Sequence, residues 1–239
     1  MQPVELYLQV RQREGRLYPD AVLARLPDIS SDSPLAGEWR QRRESSSRLL
    51  RYLGGLPAGL DILDLGCGNG WLSDKLSRLP SSQVWALDNN RTELSQARRV
   101  FKSRNLFFIL ANIDGLPLKR TSFDIILLAS VIQYFSDLPC LVRNLLPLLK
   151  HTGEIHILDS PLYAPGEIDA ARQRTQIYYE TLGFPQMAEH YFHHPITALD
   201  GFSPRWHYRP QSLRASLARF TGSPGSPFPW VSLRFTDQF

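Results

Sequence analysis

The run Asp64-Leu65-Gly66-Cys67-Gly68-Asn69-Gly70 constrains this chain more than any other stretch. It follows the apolar segment Asp61–Leu65 and leads into a helix-like segment that begins at Trp71. Three glycines at alternate positions let the backbone turn sharply and approach a ligand where a β-carbon would collide. Such a turn is at home in an open α/β sheet, whose ligands bind in the crevice outside the carboxyl ends of the strands. A glycine triplet by itself is also what a tight strand-to-helix turn needs. Two carboxylates narrow the choice. Asp64 ends the first strand, and Asp88 stands 24 positions later at the end of the next apolar run. A carboxylate there can accept hydrogen bonds from the hydroxyls of a ribose.

The rest of the chain supports an α/β architecture. Strand-like runs at Asp61–Leu65, 83–87, Leu106–Leu110, 123–128 and 154–158 alternate with helix-like stretches at 71–79, 92–102 and 138–150. This spacing implies crossover connections and a mostly parallel sheet with helices on both faces. The unbroken apolar character of 125–128 suits a strand covered on both sides. Pro147 is expected to kink the third helix or to begin a short second one. Ahead of the sheet, residues 1–57 read as a helical extension, although the alternation of Val4, Leu6, Leu8 and Val10 leaves its first segment open between helix and strand. Residues 58–239 then form the main domain, with an insertion of about 50 residues at 161–209 after the fifth strand. The stretch 223–229 holds three prolines and cannot be a regular central strand, so the sixth strand is expected to be degenerate and near the sheet edge. Residues 211–222 read as a helix and 230–235 as the closing strand.

With these elements in place, a resemblance emerges. Ile62 to Gly70 resembles the first motif of the class I S-adenosylmethionine (SAM) dependent methyltransferases, and Trp85-Ala86-Leu87-Asp88 resembles their second. The similarity continues through Ala111-Asn112-Ile113-Asp114-Gly115-Leu116-Pro117-Leu118, Ser122-Phe123-Asp124-Ile125-Ile126 and Leu148-Leu149-Lys150-His151-Thr152-Gly153. It covers roughly 58–160 and is similar to the broad type-11-like group. The resemblance implies a Rossmann-like class I methyltransferase fold with SAM as cofactor. It implies that Asp64, Gly66, Gly68 and Gly70 belong to the loop around the methionine portion and that Asp88 binds the ribose. It places Asn112 at the adenine amino group, where the family usually has Asp, with Ile113 at the ring edge and Ala129 beneath the methionine. For Ile113 and Ala129, core packing is the alternative.

Other features set the function class. The place after the fourth strand reads Ala129-Ser130-Val131-Ile132-Gln133-Tyr134, without the Asn/Asp-Pro-Pro-aromatic stretch of enzymes that methylate exocyclic base amines. Pro139-Cys140 falls at a helix start and not in a substrate loop. The formal charge of +4 comes from scattered residues, with Arg40, Arg42 and Arg43 beside Glu38 and Glu44, so nucleic acid is not the expected partner. The stretch 161–209 holds four of the six histidines and many aromatics, which suits a lid over a small organic acceptor. His190 and His194 are the candidate general bases, one turn apart if that stretch is helical. No metal site is expected from His190, His193 and His194, which lack a carboxylate at suitable spacing. The Trp39–Arg43 stretch could supply an arginine to the methionine carboxylate or be an ordinary surface helix.

Two cysteines without metal-ligand spacing, no apolar run long enough to span a bilayer and no signal-like start at residues 1–10 point to a cytoplasmic protein. The expected activity is methyl transfer to a small-molecule acceptor. An RNA or protein methyltransferase and a non-catalytic SAM-binding module are the alternatives.

Overall fold

A seven-stranded sheet of order β3-β2-β1-β4-β5-β7-β6 organises the chain, described by a computed structural model over residues 3–112, 119–210 and 225–234. The strands are β1 (Asp61–Leu65), β2 (Gln83–Asp88), β3 (Leu106–Leu110), β4 (Phe123–Ala129), β5 (Leu149–Leu158), β6 (Arg205–Tyr208) and β7 (Trp230–Arg234). β1 to β5 pair in parallel, and β7 is antiparallel to both β5 and β6. The strand order reverses direction between β1 and β4, which opens the crevice expected at such a switch point.

Period-two alternation divides the central strands between two cores. Ile62, Ile125 and Leu127 face a layer built by α3 (Ala36–Gly54), α4 (Trp71–Leu76) and α5 (Arg91–Val100). Leu63, Leu65, Ile126 and Leu128 face the other layer, with α6 (Leu138–Leu145) and Leu199 and Phe202 beyond it. Ile62 lies opposite Ile125 and Leu63 opposite Ile126, so both strands present apolar side chains to each face. The helix expected over 138–150 stops at Leu145, and Leu146–Leu148 tighten into a 3-10 turn at Pro147 before β5 begins. Proline lacks the N–H and collides with the preceding turn, which accounts for the stop.

The N-terminal segment is helical: α1 (Pro3–Arg13), the single turn α2 (Asp20–Leu23) and then α3. In α1 the four-residue spacing prevails over the two-residue alternation. Leu6 and Val10 are buried on one side, against Tyr179 of α7 (Ile168–Leu182) and Met187. This third, smaller core ties the start of the chain to the segment after β5. The expected sixth strand is corrected: the edge strand is β6, drawn from the end of the 161–209 insertion, while Gly225 to Pro229 only lead into β7. The helix expected at 211–222 lies outside the described residues.

Behind β5 and β7 sits a buried polar network. Glu154 Oε2 accepts from Tyr52 Oη at 2.7 Å and pairs with His156 Nε2 at 3.0 Å, and Glu154 Oε1 accepts from Arg234 Nε at 2.7 Å. Trp230 Nε1 donates to His156 Nδ1 at 3.0 Å. An indole N–H is only a donor, so Nδ1 must be bare and Nε2 carries the proton. His156 is fully buried, and burial lowers its pKa from the ordinary 6.5 despite the Glu154 carboxylate. Burial also works against the Glu154 carboxylate, but the His156, Tyr52 and Arg234 hydrogen bonds outweigh it and hold the pKa at about 2.

Two outcomes follow from this network. Glu154→Ala orphans the Tyr52 hydroxyl and the His156 N–H, and is expected to cost about 3 kcal/mol in urea unfolding. His156 has a folded pKa below its unfolded one, so its contribution is complete above 6.5 and is lost as the pH falls through the folded value. Unfolding free energies measured from pH 7 to pH 5 should therefore decline more steeply in the wild type than in His156→Gln.

Candidate functional site

The glycine turn closes on the strands beside it. Gly66 N and Cys67 N both donate to the Leu87 carbonyl, at 2.8 and 3.1 Å, and Gly68 N donates to Asp88 Oδ2 at 2.7 Å. A β-carbon on Gly66 would lie 2.2 Å from Val131 Cγ2, and one on Gly70 would lie 2.5 Å from Phe108 Cε1. Both residues also hold left-handed φ values, 74° and 75°. The protein's own packing and backbone conformation therefore exclude side chains at these two positions, in keeping with the sharp turn that the sequence suggested. Gly68 shares the left-handed backbone, at φ 53°, but a β-carbon there would make only an ordinary contact with the Glu93 carboxylate, at 3.7 Å.

The turn forms one wall of a cavity of about 400 Å³ at the carboxyl ends of β1, β2 and β4. Of the residues anticipated from sequence, Gly66, Gly68, Asp88, Asn112, Ala129 and His190 line it. Gly70 closes the turn behind the wall as the cap residue of α4. Asp64 departs from its expected place. It is buried behind the loop, where it accepts from Ser73 Oγ at 2.6 Å, and burial pushes its pKa up to about 6. The α4 hydroxyl takes that carboxylate away from the cavity. Ile113 lies outside the described residues.

The two candidate bases are not brought together. The 3-10 turn Pro185–His190 ends at His190, and the chain then runs on without helix, so His190 and His194 are not one turn apart. His194 is buried, lines neither this cavity nor the one adjoining it, and its Nε2 donates to the Ile132 carbonyl at 2.9 Å. Its burial lowers its pKa. These contacts give His194 a structural place and do not support it as a base.

Several residues of the cavity were not anticipated. Tyr7 and Arg11 of α1 line it, with Arg11 Nε donating to Tyr7 Oη at 2.8 Å. Their four-residue spacing was the available signal, hidden by the apolar alternation around it. Glu93 is buried, and its Oε2 accepts from Asn90 Nδ2 at 2.9 Å. Burial raises it to about 7, against the pull of Arg11. Glu38 of α3 lines it too, and Trp39 and Arg42 do so from the stretch whose arginine the sequence offered to the methionine carboxylate, while Arg40 and Arg43 of that stretch do not. Glu38 pairs with Arg16 and Arg42, whose charges overcome the effect of burial and hold it at about 2.

The residues present fit SAM. Asp88 faces the cavity, anchored by the amides of Gly68 and Asn90 with carboxylate lone pairs to spare for ribose hydroxyls. Burial raises its pKa against those backbone hydrogen bonds. Asn112 stands at the cavity rim, its Oδ1 3.4 Å from Asn89 Nδ2. Arg11, Arg16 and Arg42 offer cations to a carboxylate, and Tyr7, Tyr134 and Trp39 offer ring faces to a sulfonium.

The sheet order, the glycine turn and the ribose-type carboxylate at the switch point together define a Rossmann-like class I methyltransferase fold. Comparison with known proteins agrees. Residues 62–153 match the family model described as a methyltransferase domain. Over 97 residues the chain is 31% identical to a malonyl-[acyl-carrier protein] O-methyltransferase of Bacillus anthracis, covering 40% of this chain and 36% of that one. Over 110 residues it is 31% identical to the ubiquinone/menaquinone biosynthesis C-methyltransferase UbiE of Wigglesworthia glossinidia brevipalpis, covering 43% and 44%. The chain thus spans less than half the length of these relatives. An S-adenosylmethionine dependent methyltransferase from Mesorhizobium loti shares the fold at a TM-score of 0.56 and 24% identity, covering 83% of this chain and 98% of that one. The plantazolicin methyltransferase BpumL, solved with SAH, does so at 0.53 and 17%, covering 97% and 100%. The chain therefore contains a class I SAM-dependent methyltransferase domain. No helix among the described residues is long and apolar enough to cross a membrane.

Gly66→Ala tests the closure of the turn. Left-handed strain and the collision with Val131 are together expected to cost about 3 kcal/mol. Urea unfolding of the variant beside the wild type gives the number, and a loss below about 1 kcal/mol would mean that the turn yields easily.

Proposed function

We propose that this chain transfers a methyl group from SAM to a small-molecule acceptor. The observation that carries this reading is the continuity between two cavities. The one bounded by the glycine turn shares Arg11, Arg16, Glu38, Arg42, Ser130 and Tyr134 with a second, of about 750 Å³, lined by a cluster of tyrosines on one side and by charged and polar side chains elsewhere. A donor in the first and an acceptor in the second would meet at Ser130, beyond the carboxyl end of β4. A concave surface that sets tyrosine rings beside polar and charged groups is suited to a small polar organic molecule.

In this reading Gly66, Gly68 and Gly70 shape the loop against the methionine portion. Asp88 holds the ribose, Asn112 faces the adenine amino group and Ala129 underlies the methionine. SAM supplies an electrophilic methyl group on a sulfonium. The protein's part is to align the acceptor for in-line displacement and to exclude water, and positioning of this kind can carry most of the rate enhancement. The lid consists of α1 together with the stretch of 161–209 that precedes β6. Met187, His190 and Phe192 reach the first cavity from it. The malonyl-[acyl-carrier protein] and quinone-pathway relatives show that the domain serves unlike acceptors, so kinship alone does not select one.

Asp88→Ala removes the ribose acceptor from a largely buried position and is expected to weaken SAM and SAH binding by about 1.5–3 kcal/mol, roughly 10- to 150-fold, in titration calorimetry. Unchanged affinity would remove Asp88 from the site, and a wild type that binds neither ligand would remove the function. Incubation of cell extract with methyl-labelled SAM should place the label in the small-molecule fraction. Label in RNA or protein would favour the macromolecular alternative.

A further inference from the structure

The second cavity combines a tyrosine-rich wall, charged side chains such as Arg11, Arg16, Glu38 and Arg174, and a polar floor. Five of the nine tyrosines line it: Tyr134, Tyr163, Tyr178, Tyr179 and Tyr191. Tyr134 and Tyr179 each set a ring against Tyr191 with centroids 6.2 Å apart. The floor is made by the ends of β4 and β5, where Ser130 and Asp159 both hold left-handed backbone, at φ 55° and 50°. Such conformations cost non-glycine residues on the order of 1–3 kcal/mol each and gather at functional sites. Here a hydrogen-bond chain retains them. Arg42 Nη1 donates to Ser130 Oγ at 3.0 Å, and Ser130 Oγ donates to the Asp159 carbonyl at 3.0 Å.

One acceptor on the floor, Gln133 Oε1, lacks a donor, and the carboxylate of Asp159 beside it has lone pairs beyond the one that Ser45 fills. Gln133 is 8% exposed, and its Nε2 donates to the Ser130 carbonyl at 2.8 Å. Its Oε1 is buried with no hydrogen-bond partner among the described residues. Asp159 is likewise 8% exposed, and Ser45 Oγ donates to its Oδ2 at 2.8 Å. Burial raises the Asp159 pKa against the charge of Arg42 and the Ser45 hydrogen bond. A buried acceptor left without a donor is costly, so an occupant that brings donors to this floor is favoured. Flat tyrosine walls favour an aromatic body.

We propose that the second cavity binds an aromatic acceptor carrying two hydroxyl groups, with Gln133 Oε1 accepting from one and Asp159 acting as the base for the other. This rests on the methyl-transfer reading above. The attacking hydroxyl oxygen forms a bond to the methyl carbon of SAM as the carbon–sulfur bond breaks. That electron pair stays on sulfur, giving neutral SAH. The hydroxyl proton passes to the Asp159 carboxylate and from there to water, and an aryl methyl ether leaves. The charged groups facing Asp159 are Arg42, Arg48 and Glu38, all on α3.

The test uses the full chain saturated with SAH or SAM and three probes: catechol, phenol and benzene-1,2-dimethyl ether. Calorimetry in SAH is expected to rank them in that order, with Gln133→Leu lowering catechol affinity about tenfold and phenol affinity little. Asp159→Asn keeps a side chain that tolerates left-handed backbone. It should retain catechol binding while labelled-methyl transfer falls roughly 10²- to 10⁴-fold. Ser45→Ala, which takes a hydrogen bond from the carboxylate, should move the acid limb of the rate profile to higher pH. Equal binding of all three probes, or full turnover in Asp159→Asn, would overturn the proposal. If the wild type binds SAH but none of the aromatics, this proposal fails and the methyl-transfer reading stands. If it does not bind SAH, that reading fails first.

Discussion

The strand-to-helix turn after β1 is held by collision. Gly66 sits against Val131 and Gly70 against Phe108, so the turn cannot move without displacing the end of β4 or the middle of β3. Its amides are at the same time bound to Leu87 and Asp88 of β2. One five-residue loop therefore fixes the ends of β2 and β4 and the middle of β3 relative to β1. The cavity inherits its base from that arrangement, because Asp88 and Ala129 stand on these strand ends, while α1, α3 and α5 bring Arg11, Arg42 and Glu93 to it. Close packing makes the geometry stiff, and stiffness is what a site that works by alignment requires.

The sequence was most legible where chemistry is local. The glycine turn, Asp88 and the five parallel strands each follow from a few consecutive residues, and Pro147 marked the end of α6 for a steric reason. It was least legible where contacts are distant. Tyr7 and Arg11 reach the cavity because Leu6 and Val10 pack on Tyr179 and Met187, some 170 positions away, and no local pattern encodes that meeting. Asp64 shows a different limit. A carboxylate at a strand end can face outward to a ligand or inward to a neighbour, and the deciding partner, Ser73, lay nine positions further on. β6 was masked by its position within a stretch whose aromatics suggested a lid throughout.

Electrostatics divides the protein into two unlike polar regions. Around the cavities, Arg11, Arg16 and Arg42 interleave with Glu14, Glu38 and Glu93, so that charge is balanced but available. Behind β5 and β7, Glu154, His156, Trp230, Tyr52 and Arg234 form a network in which each donor has its acceptor. The first arrangement retains unfilled hydrogen-bonding capacity next to empty space. The second is closed and serves to pin an antiparallel strand to an otherwise parallel sheet. Satisfied networks specify a unique packing, and unsatisfied ones mark where another molecule belongs.

The small core between α1 and the segment after β5 also bears on timing. It is anchored by four buried side chains, against two far larger cores around the sheet. Opening free energy scales with what an element buries, so α1 can lift while the sheet stays intact. Such a local event would widen cavities that already open to the surface, without global unfolding. The dwell time of an occupant would then depend in part on how often the first helix detaches. Contacts on the floor of the cavity would set equilibrium affinity, and Leu6 and Val10, which touch no ligand, would set the rate of escape.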